Sequence, residues 1–239
     1  IIFPQEPLVR IHAKLIEAQI IEGLVLNLCN FQSLIATKTA RVWLAAKKGN
    51  VMEFGLRRAQ GPDGAMGATR ASYIGGAQGT SNTLAGQALG IPVMGTMAHS
   101  WVMSFPSELE AFEAYAKIYP EKTIFLIDTY DTLKCGVLNA IKAFRENGID
   151  DSYAPGYGVR LDSGDLAYLS AECRHILDEH GLAKCKIFAT NSLDEYLITD
   201  LERQGACIDC YGVGDAIATS KAAPCFGNVY KLVQIDDEP

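Results

Sequence analysis

Six short apolar runs, at 51–55, 92–96, 123–128, 157–162, 184–191 and 207–212, alternate with amphipathic stretches, and this rhythm constrains the fold more than any other feature. Runs so short, rich in β-branched and aromatic residues, read as strands buried on both faces. Between them, helical spacing predicts helices at about 81–89, 107–118, 132–146, 166–179 and 193–204, opened by Ser, Thr or Asp or closed near Gly. Ahead of the rhythm, Leu15, Ala18, Ile21 and Val25 recur at helical spacing, so about 14–48 predicts one long or two abutting helices. Gly61, Pro62, Asp63 and Gly64 predict a sharp turn, and the glycine-rich stretch 65–79 has no clear period. A repeated βα unit demands a parallel sheet, and six or seven units without a dinucleotide fingerprint favour a closed barrel over an open doubly wound sheet. A chain of 239 residues with 49% hydrophobic composition fits one such domain.

Polar residues collect where the runs end. Arg57 and Arg58, His99, Asp128, Arg160 and Asp162, Asn191, and Asp215 follow their strands directly. In a parallel barrel those ends share one face, so the sequence predicts Arg, His, Asp and Asn around one mouth.

Charge and cysteine content narrow the function classes. A net charge of -7, with no concentrated Lys or Arg, argues against a nucleic-acid surface. No apolar run reaches the 18 or so residues needed to cross a bilayer, and no signal-peptide pattern opens the chain, so a membrane location is not expected. Seven cysteines at irregular spacing, in a chain too large to need disulfide staples, point to a reducing, cytoplasmic compartment. Cys207 and Cys210 have redox-motif spacing but lie in an apolar run, which reads as buried structural thiols.

Individual residues suggest chemistry. Arg57 and Arg58 can grip a carboxylate or phosphate, and Phe54 can stack on a flat heterocycle. His99, among small residues after an apolar run, can act as base or phosphoryl acceptor, or can simply be a hydrogen-bonded core residue. Asn82 reads as a helix cap that also tolerates an acidic substrate. Arg160 and Asp162, two apart in an extended segment, share one side as an ion pair or as site residues. Gly212 and Gly214, with Asn191 at the preceding strand end, fit an anion nest late in a barrel. Asp128 and Asp131 read as site-wall or loop-fixing residues, with a magnesium contact as the lesser alternative.

Four runs of residues resemble the signature segments of nicotinate phosphoribosyltransferases, in order: Phe54-Gly-Leu-Arg-Arg-Ala-Gln-Gly-Pro-Asp-Gly64, Gly79-Thr-Ser-Asn-Thr-Leu-Ala-Gly86, Gly95-Thr-Met-Ala-His-Ser100 and Arg160-Leu-Asp-Ser-Gly-Asp165. The resemblance continues to Val229-Tyr-Lys-Leu232. It implies an α/β fold, an irregular TIM-like (β/α) barrel forming the central domain of a larger type II phosphoribosyltransferase. On that reading 1–239 is a single barrel domain led by the helical segment, and flanking N- and C-terminal parts are absent.

The resemblance further implies synthesis of nicotinate mononucleotide and pyrophosphate from nicotinate and phosphoribosyl pyrophosphate. ATP hydrolysis is coupled through phosphorylation of His99, and Mg2+ accompanies pyrophosphate without a dedicated protein site. Phe54 is expected to stack on the pyridine, and Arg57 to meet the substrate carboxylate or adjacent phosphates. Arg160 is expected on phosphate oxygens, Asp162 on ribose hydroxyls or the leaving pyrophosphate, and Gly212 and Gly214 around the 5'-phosphate. Asn82 favours nicotinate over nicotinamide, and a homodimer is implied. The alternatives are a nicotinamide-using relative, a barrel aldolase or isomerase, for which only Lys231 approaches a suitable lysine, and a non-catalytic binding module.

Overall fold

In a computed structural model, which describes residues 3, 5–47, 49–153, 156–236 and 238, all six strands of the sheet run parallel. They are β1 (Asn50–Glu53), β2 (Gly79–Thr80), β3 (Thr123–Leu126), β4 (Tyr157–Leu161), β5 (Lys186–Ala189) and β6 (Cys210–Val213). Their order is β2-β1-β6-β5-β4-β3, with Val51 opposite Tyr211, Val159 opposite Ile187 and Phe125 opposite Val159. The last strand therefore returns beside the first, as in a barrel. β2 and β3 do not pair, and the sheet is a parallel half-barrel open along that seam.

The run at 92–96 was expected to be a strand and contributes a single bridge, Val93 to Thr80. The reason is local. β2 is two residues long before Ser81 and Asn82 turn into a helix, so one register of pairing is available: Thr80 N–H to Pro92 O and Met94 N–H to Thr80 O.

Helices α1 (Leu15–Ala45), α2 (Gly61–Ile74), α3 (Thr83–Leu89), α4 (His99–Met103), α5 (Glu108–Ile118), α6 (Val137–Glu146), α7 (Leu166–Glu179), α8 (Glu195–Arg203) and α9 (Asp215–Ala218) fill the connections. Asn82, Ser107, Asp165 and Asp194 each accept a first-turn amide, which fixes where α3, α5, α7 and α8 begin. The predicted helix at 132–146 opens with a π-helical turn at Thr132–Gly136, capped by Asp131. Gly136 permits it, because a Cβ there would fall 1.8 Å from the Ile127 carbonyl oxygen.

α2 corrects the expected sharp turn at 61–64. Pro62 stands in the first helical turn, where its missing N–H and fixed φ are no handicap, and Asp63 suits the positive end of the helix. Gly67 lies against Phe31, so α1 and α2 approach closely despite the helix-weakening glycines.

An aromatic column ties α5, β3, α6 and β4 together, with ring centroids at 4.7 Å for Phe112–Phe125, 4.6 Å for Phe125–Phe144 and 4.9 Å for Phe144–Tyr157. The three phenylalanines are fully buried, each worth about 2–3 kcal/mol of burial.

α1 is one 31-residue helix. Its second half buries Ile35, Lys38, Thr39 and Val42, while Leu15, Ile16, Ile20, Leu24 and Leu28 in its first half are exposed. By length and composition α1 is apolar enough to cross a membrane, which corrects the expectation that no such segment exists. Its second half is nevertheless fastened to α8, with Lys38 Nζ 2.6 Å from Glu195 and Arg41 3.3 Å from the same carboxylate. All seven cysteines are free thiols, and burial pushes Cys210 up to about 11, which suits packing rather than redox exchange.

Candidate active site

The open seam of the sheet is spanned by polar side chains. Arg160, pointing from β4, sends Nη1 to Thr96 Oγ1 at 2.7 Å and to the Met97 carbonyl at 3.4 Å, both on the segment that follows Val93. Its Nε donates to Thr190 Oγ1 at 2.9 Å and its Nη2 to Asp162 Oδ1 at 2.7 Å. Four of the five guanidinium N–H groups are thus committed within the protein, and one, on Nη2, remains for a ligand. Thr190 also donates to Asp162 Oδ1. Burial alone would raise the Asp162 carboxyl, but the hydrogen bonds from Thr190 and Arg160, with the charges of Arg160 and His99, hold it below the usual aspartate range.

Three residues past Thr96, His99 opens α4. Its Nε2 lies 3.1 Å from Asp128 Oδ1, beyond the end of β3. The other Asp128 oxygen accepts the Asp162 amide and the Ser163 hydroxyl, both at 2.7 Å. The imidazole is 40% exposed while the carboxylate is 1% exposed, so a buried acid orients an accessible ring. A carboxylate only accepts, so in the neutral form of the ring the proton belongs on Nε2 and Nδ1 carries the lone pair. Asp128 is therefore as much a part of the site as His99. The sequence signal for it was the acid at the end of an apolar run.

Phe54 follows β1 and is half-buried, with its N–H on the Val213 carbonyl. Gly212 lies inside β6 rather than in the turn after it, and a Cβ there would meet the Phe54 ring at 2.6 Å and Thr190 Cγ2 at 2.7 Å. Its bareness lets the aromatic ring pack on β6 beside Thr190. That is a different role from the expected phosphate cradle, and follows because β6 runs to Val213 instead of stopping at 212. Gly214 is the residue that leaves the strand, with φ -105 and ψ -102 at the start of α9 and its Cβ position 3.2 Å from the Phe54 carbonyl oxygen. Asn191 and Ser192, after β5, both take left-handed backbone conformations, φ 79 and 52, a strained pair at the same sheet edge.

Arg57 lies in the 3-10 turn Leu56–Arg58, exposed and without an ion pair among the described residues. It shares the strand-end face but does not touch the Arg160 cluster. Arg58 pairs with Asp215 at 3.5 Å and so ties the loop to α9.

Asn82 is placed differently from expectation. It is 3% exposed, its Oδ1 accepts the Ala85 amide at 3.1 Å, and its Nδ2 donates to Thr69 Oγ1 at 3.2 Å. Its amide is spent on the start of α3 and on α2, so the choice between acid and amide substrates does not rest on a free Asn82 side chain.

The site can supply an oriented nucleophilic imidazole, a guanidinium with one free N–H, a carboxylate held ionised and an aromatic wall. Among the described residues no group of three or more His, Cys, Asp and Glu is arranged to hold a metal. Asp128 has both oxygens occupied, whereas Asp162 Oδ2 accepts no hydrogen bond from the described residues and is open to a hydrated cation.

Known proteins resemble this chain in sequence and in fold. A family model described as the nicotinate phosphoribosyltransferase (NAPRTase) family matches residues 50–180. The nicotinate phosphoribosyltransferase of Bacillus subtilis (strain 168) is 46% identical over 238 residues, covering 100% of this chain and 48% of that protein. The crystal structure of nicotinate-nucleotide pyrophosphorylase from Pyrococcus furiosus superposes with a TM-score of 0.73 at 30% identity, over 83% of this chain and 50% of that one. Human nicotinic acid phosphoribosyltransferase gives a TM-score of 0.72 at 31% identity, over 82% and 50%. The chain spans about half the length of the curated relatives it matches. With more than half of its residues matched by that family model, the chain belongs to the nicotinate phosphoribosyltransferase family.

Proposed function

We propose that the protein carrying this chain joins nicotinate to phosphoribosyl pyrophosphate, forming nicotinate mononucleotide and pyrophosphate, with ATP hydrolysis coupled through phosphorylation of His99. The observation that carries the reading is the His99–Asp128 pair set beside the Arg160–Asp162–Thr190 cluster, with the Phe54 ring packed on Gly212 on the same side as Thr190. In this reading Nδ1 of His99 attacks the γ-phosphorus of ATP as its bond to the bridging oxygen breaks and ADP leaves, Asp128 stabilises the phosphoimidazolium that forms, and water later cleaves the phosphohistidine to release phosphate.

The transfer itself needs positioning and charge neutralisation. Pyrophosphate leaves as positive charge develops on the ribose, and the pyridine nitrogen takes the anomeric carbon. Phe54 supplies the stacking face, and Arg57 is the free cation for the substrate carboxylate. The last Arg160 N–H meets a phosphate oxygen, Asp162 a ribose hydroxyl, and Asn191 with Gly214 the 5'-phosphate. Magnesium bound with phosphoribosyl pyrophosphate would supply charge neutralisation on the departing pyrophosphate, and Asp162 Oδ2 would be the protein oxygen facing its hydration shell.

The remaining features belong to the same proposal. The half-barrel is completed to a closed (β/α) barrel in the whole protein, as a central domain that works as a homodimer in the cytoplasm. Incubation with γ-labelled ATP tests the reading: acid-labile label that is absent from His99→Ala, with nicotinate mononucleotide formed by the wild type, is the expected outcome. Label that survives acid or persists in His99→Ala overturns it.

A further inference from the structure

Beneath the aromatic wall lies a buried acid with no catalytic assignment. Glu53, the last residue of β1, is 1% exposed. Its Oε1 accepts the N–H of Gly55. Its Oε2 accepts Thr80 Oγ1 from β2 at 2.6 Å and Thr69 Oγ1 from α2 at 3.1 Å. The two threonine oxygens in turn receive Asn82, its backbone N–H on Thr80 at 3.0 Å and its Nδ2 on Thr69 at 3.2 Å. Every donor aimed at the carboxylate is neutral among the described residues, so no ion pair explains a charge-bearing group here.

The geometry says what the acid does. Glu53 and Gly55 flank Phe54, and the carboxylate reaches past Phe54 to hold the amide after it. The same side of the turn is closed by α9 and the Gly214 before it: a Cβ on Gly55 would fall 2.3 Å from Ala218 Cβ, 2.8 Å from the Gly214 carbonyl oxygen and 2.9 Å from Glu53 Oε1. The Phe54–Gly55 turn is thus held by the carboxylate and pressed close against α9, with no room for a side chain at Gly55. The Phe54 ring leaves that turn to lie on Gly212 on the side that Thr190 also faces, and Arg57 follows two residues after Gly55.

We propose that Glu53 is a positioning residue for the ring site: by accepting the Gly55 amide and the Thr69 and Thr80 hydroxyls together, it fixes the angle at which Phe54 and Arg57 meet an aromatic acid. This rests on the reading of Phe54 as the stacking face for nicotinate. Chemistry decides why the residue is an acid. Three donors converge on it, and both hydroxyl oxygens already accept from Asn82, so an amide in its place would turn its NH2 either toward the Gly55 N–H or toward the two hydroxyls and leave those donors without an acceptor.

The test uses the native protein that carries this chain, with steady-state kinetics for each substrate beside thermal unfolding. For Glu53→Gln the KM for nicotinate rises about tenfold or more while the KM for phosphoribosyl pyrophosphate stays within about twofold, because a displaced ring wall weakens one substrate only. Thr80→Val, which removes one donor and leaves the acid, moves the same parameter in the same direction by about threefold. Ser72→Ala, which loses a buried hydrogen bond to the Thr69 carbonyl one turn along α2 and leaves the Thr69 hydroxyl on Glu53, lowers the melting temperature without moving either KM. If the wild type does not use nicotinate, the functional reading fails and the proposal with it. If the wild type does, and both variants lose stability with the nicotinate KM unchanged or with both KM values rising together, Glu53 is only structural and the proposal alone is overturned. Should Glu53→Gln not fold, Thr80→Val decides by the same criterion.

Discussion

Asp128 holds His99 by one oxygen and the start of the Arg160–Asp162 segment by the other, 3.1 Å to the imidazole Nε2 and 2.7 Å to the Asp162 amide. One buried carboxylate therefore sets the spacing between the proposed phosphoryl acceptor and the proposed ribose-binding acid. In Asp128→Asn, the new amide must either point its N–H at Nε2, which forces the imidazole proton onto Nδ1, or point it at the Asp162 amide, where donor meets donor. Both outcomes misplace the nucleophile. Phosphorylation of His99 by ATP is expected to fall by about 10²-fold or more, close to 3 kcal/mol of barrier, measured as the initial rate of acid-labile label. A variant labelled at the wild-type rate contradicts the role given to Asp128.

Asp162 links the site to acid stability. Its folded carboxyl lies below the ordinary aspartate value, so the folded state binds fewer protons there than the unfolded state does. The stabilisation is complete above about pH 3.9, the unfolded value, and is lost as pH falls through the lower folded value. Wild type and Asp162→Asn should differ by a constant amount near neutrality and converge below about pH 4, seen in denaturant unfolding at a series of pH values. A gap that persists unchanged to pH 2 rules out this account of Asp162.

Gly212 offers a test by addition. An alanine methyl there would sit 2.6 Å from the Phe54 ring and 2.7 Å from Thr190, and both neighbours belong to the site. Gly212→Ala should cost about 1–3 kcal/mol by overpacking and weaken nicotinate binding more than phosphoribosyl pyrophosphate binding. Paired thermal unfolding and calorimetric titration measure both effects.

The sequence disclosed the strand-end polar residues because short buried strands punctuated by acids and arginines leave a local trace. His99, Arg160 and Asp162 come together as the parallel arrangement requires. The joining acid, Asp128, was visible only as a wall residue, since nothing local says that its partners lie 29 and 34 positions away. Asn82 shows the opposite error. Its capping role was readable in the sequence, but the burial that spends its amide depends on Thr69 of α2. α2 itself was obscured by Gly61, Gly64 and Gly67, whose weak helix propensity is outweighed by close packing on α1. The single bridge at Val93 reflects the shortness of β2, a tertiary fact that the apolar run at 92–96 does not contain.

The attachment of α1 to α8 gives a last prediction, about specificity of packing rather than chemistry. Lys38 and Glu195 are both buried, 2.6 Å apart, and Arg41 adds a second, more exposed cation at 3.3 Å. Removing one partner leaves an uncompensated buried charge, so Glu195→Ala should destabilise the fold by about 3–5 kcal/mol. Replacing both as Lys38→Met with Glu195→Leu removes the desolvation cost along with the attraction. That double variant should lie within about 1–2 kcal/mol of the wild type, despite leaving Arg41 without its carboxylate, because Arg41 is exposed enough to be hydrated and also lies on the Tyr196 ring at 5.9 Å. A double-mutant cycle by urea unfolding measures the pair directly. Additive losses, with the double variant as unstable as the two single variants together, would mean that the two charges do not recognise each other and that apolar packing alone sets the register of α1 on α8.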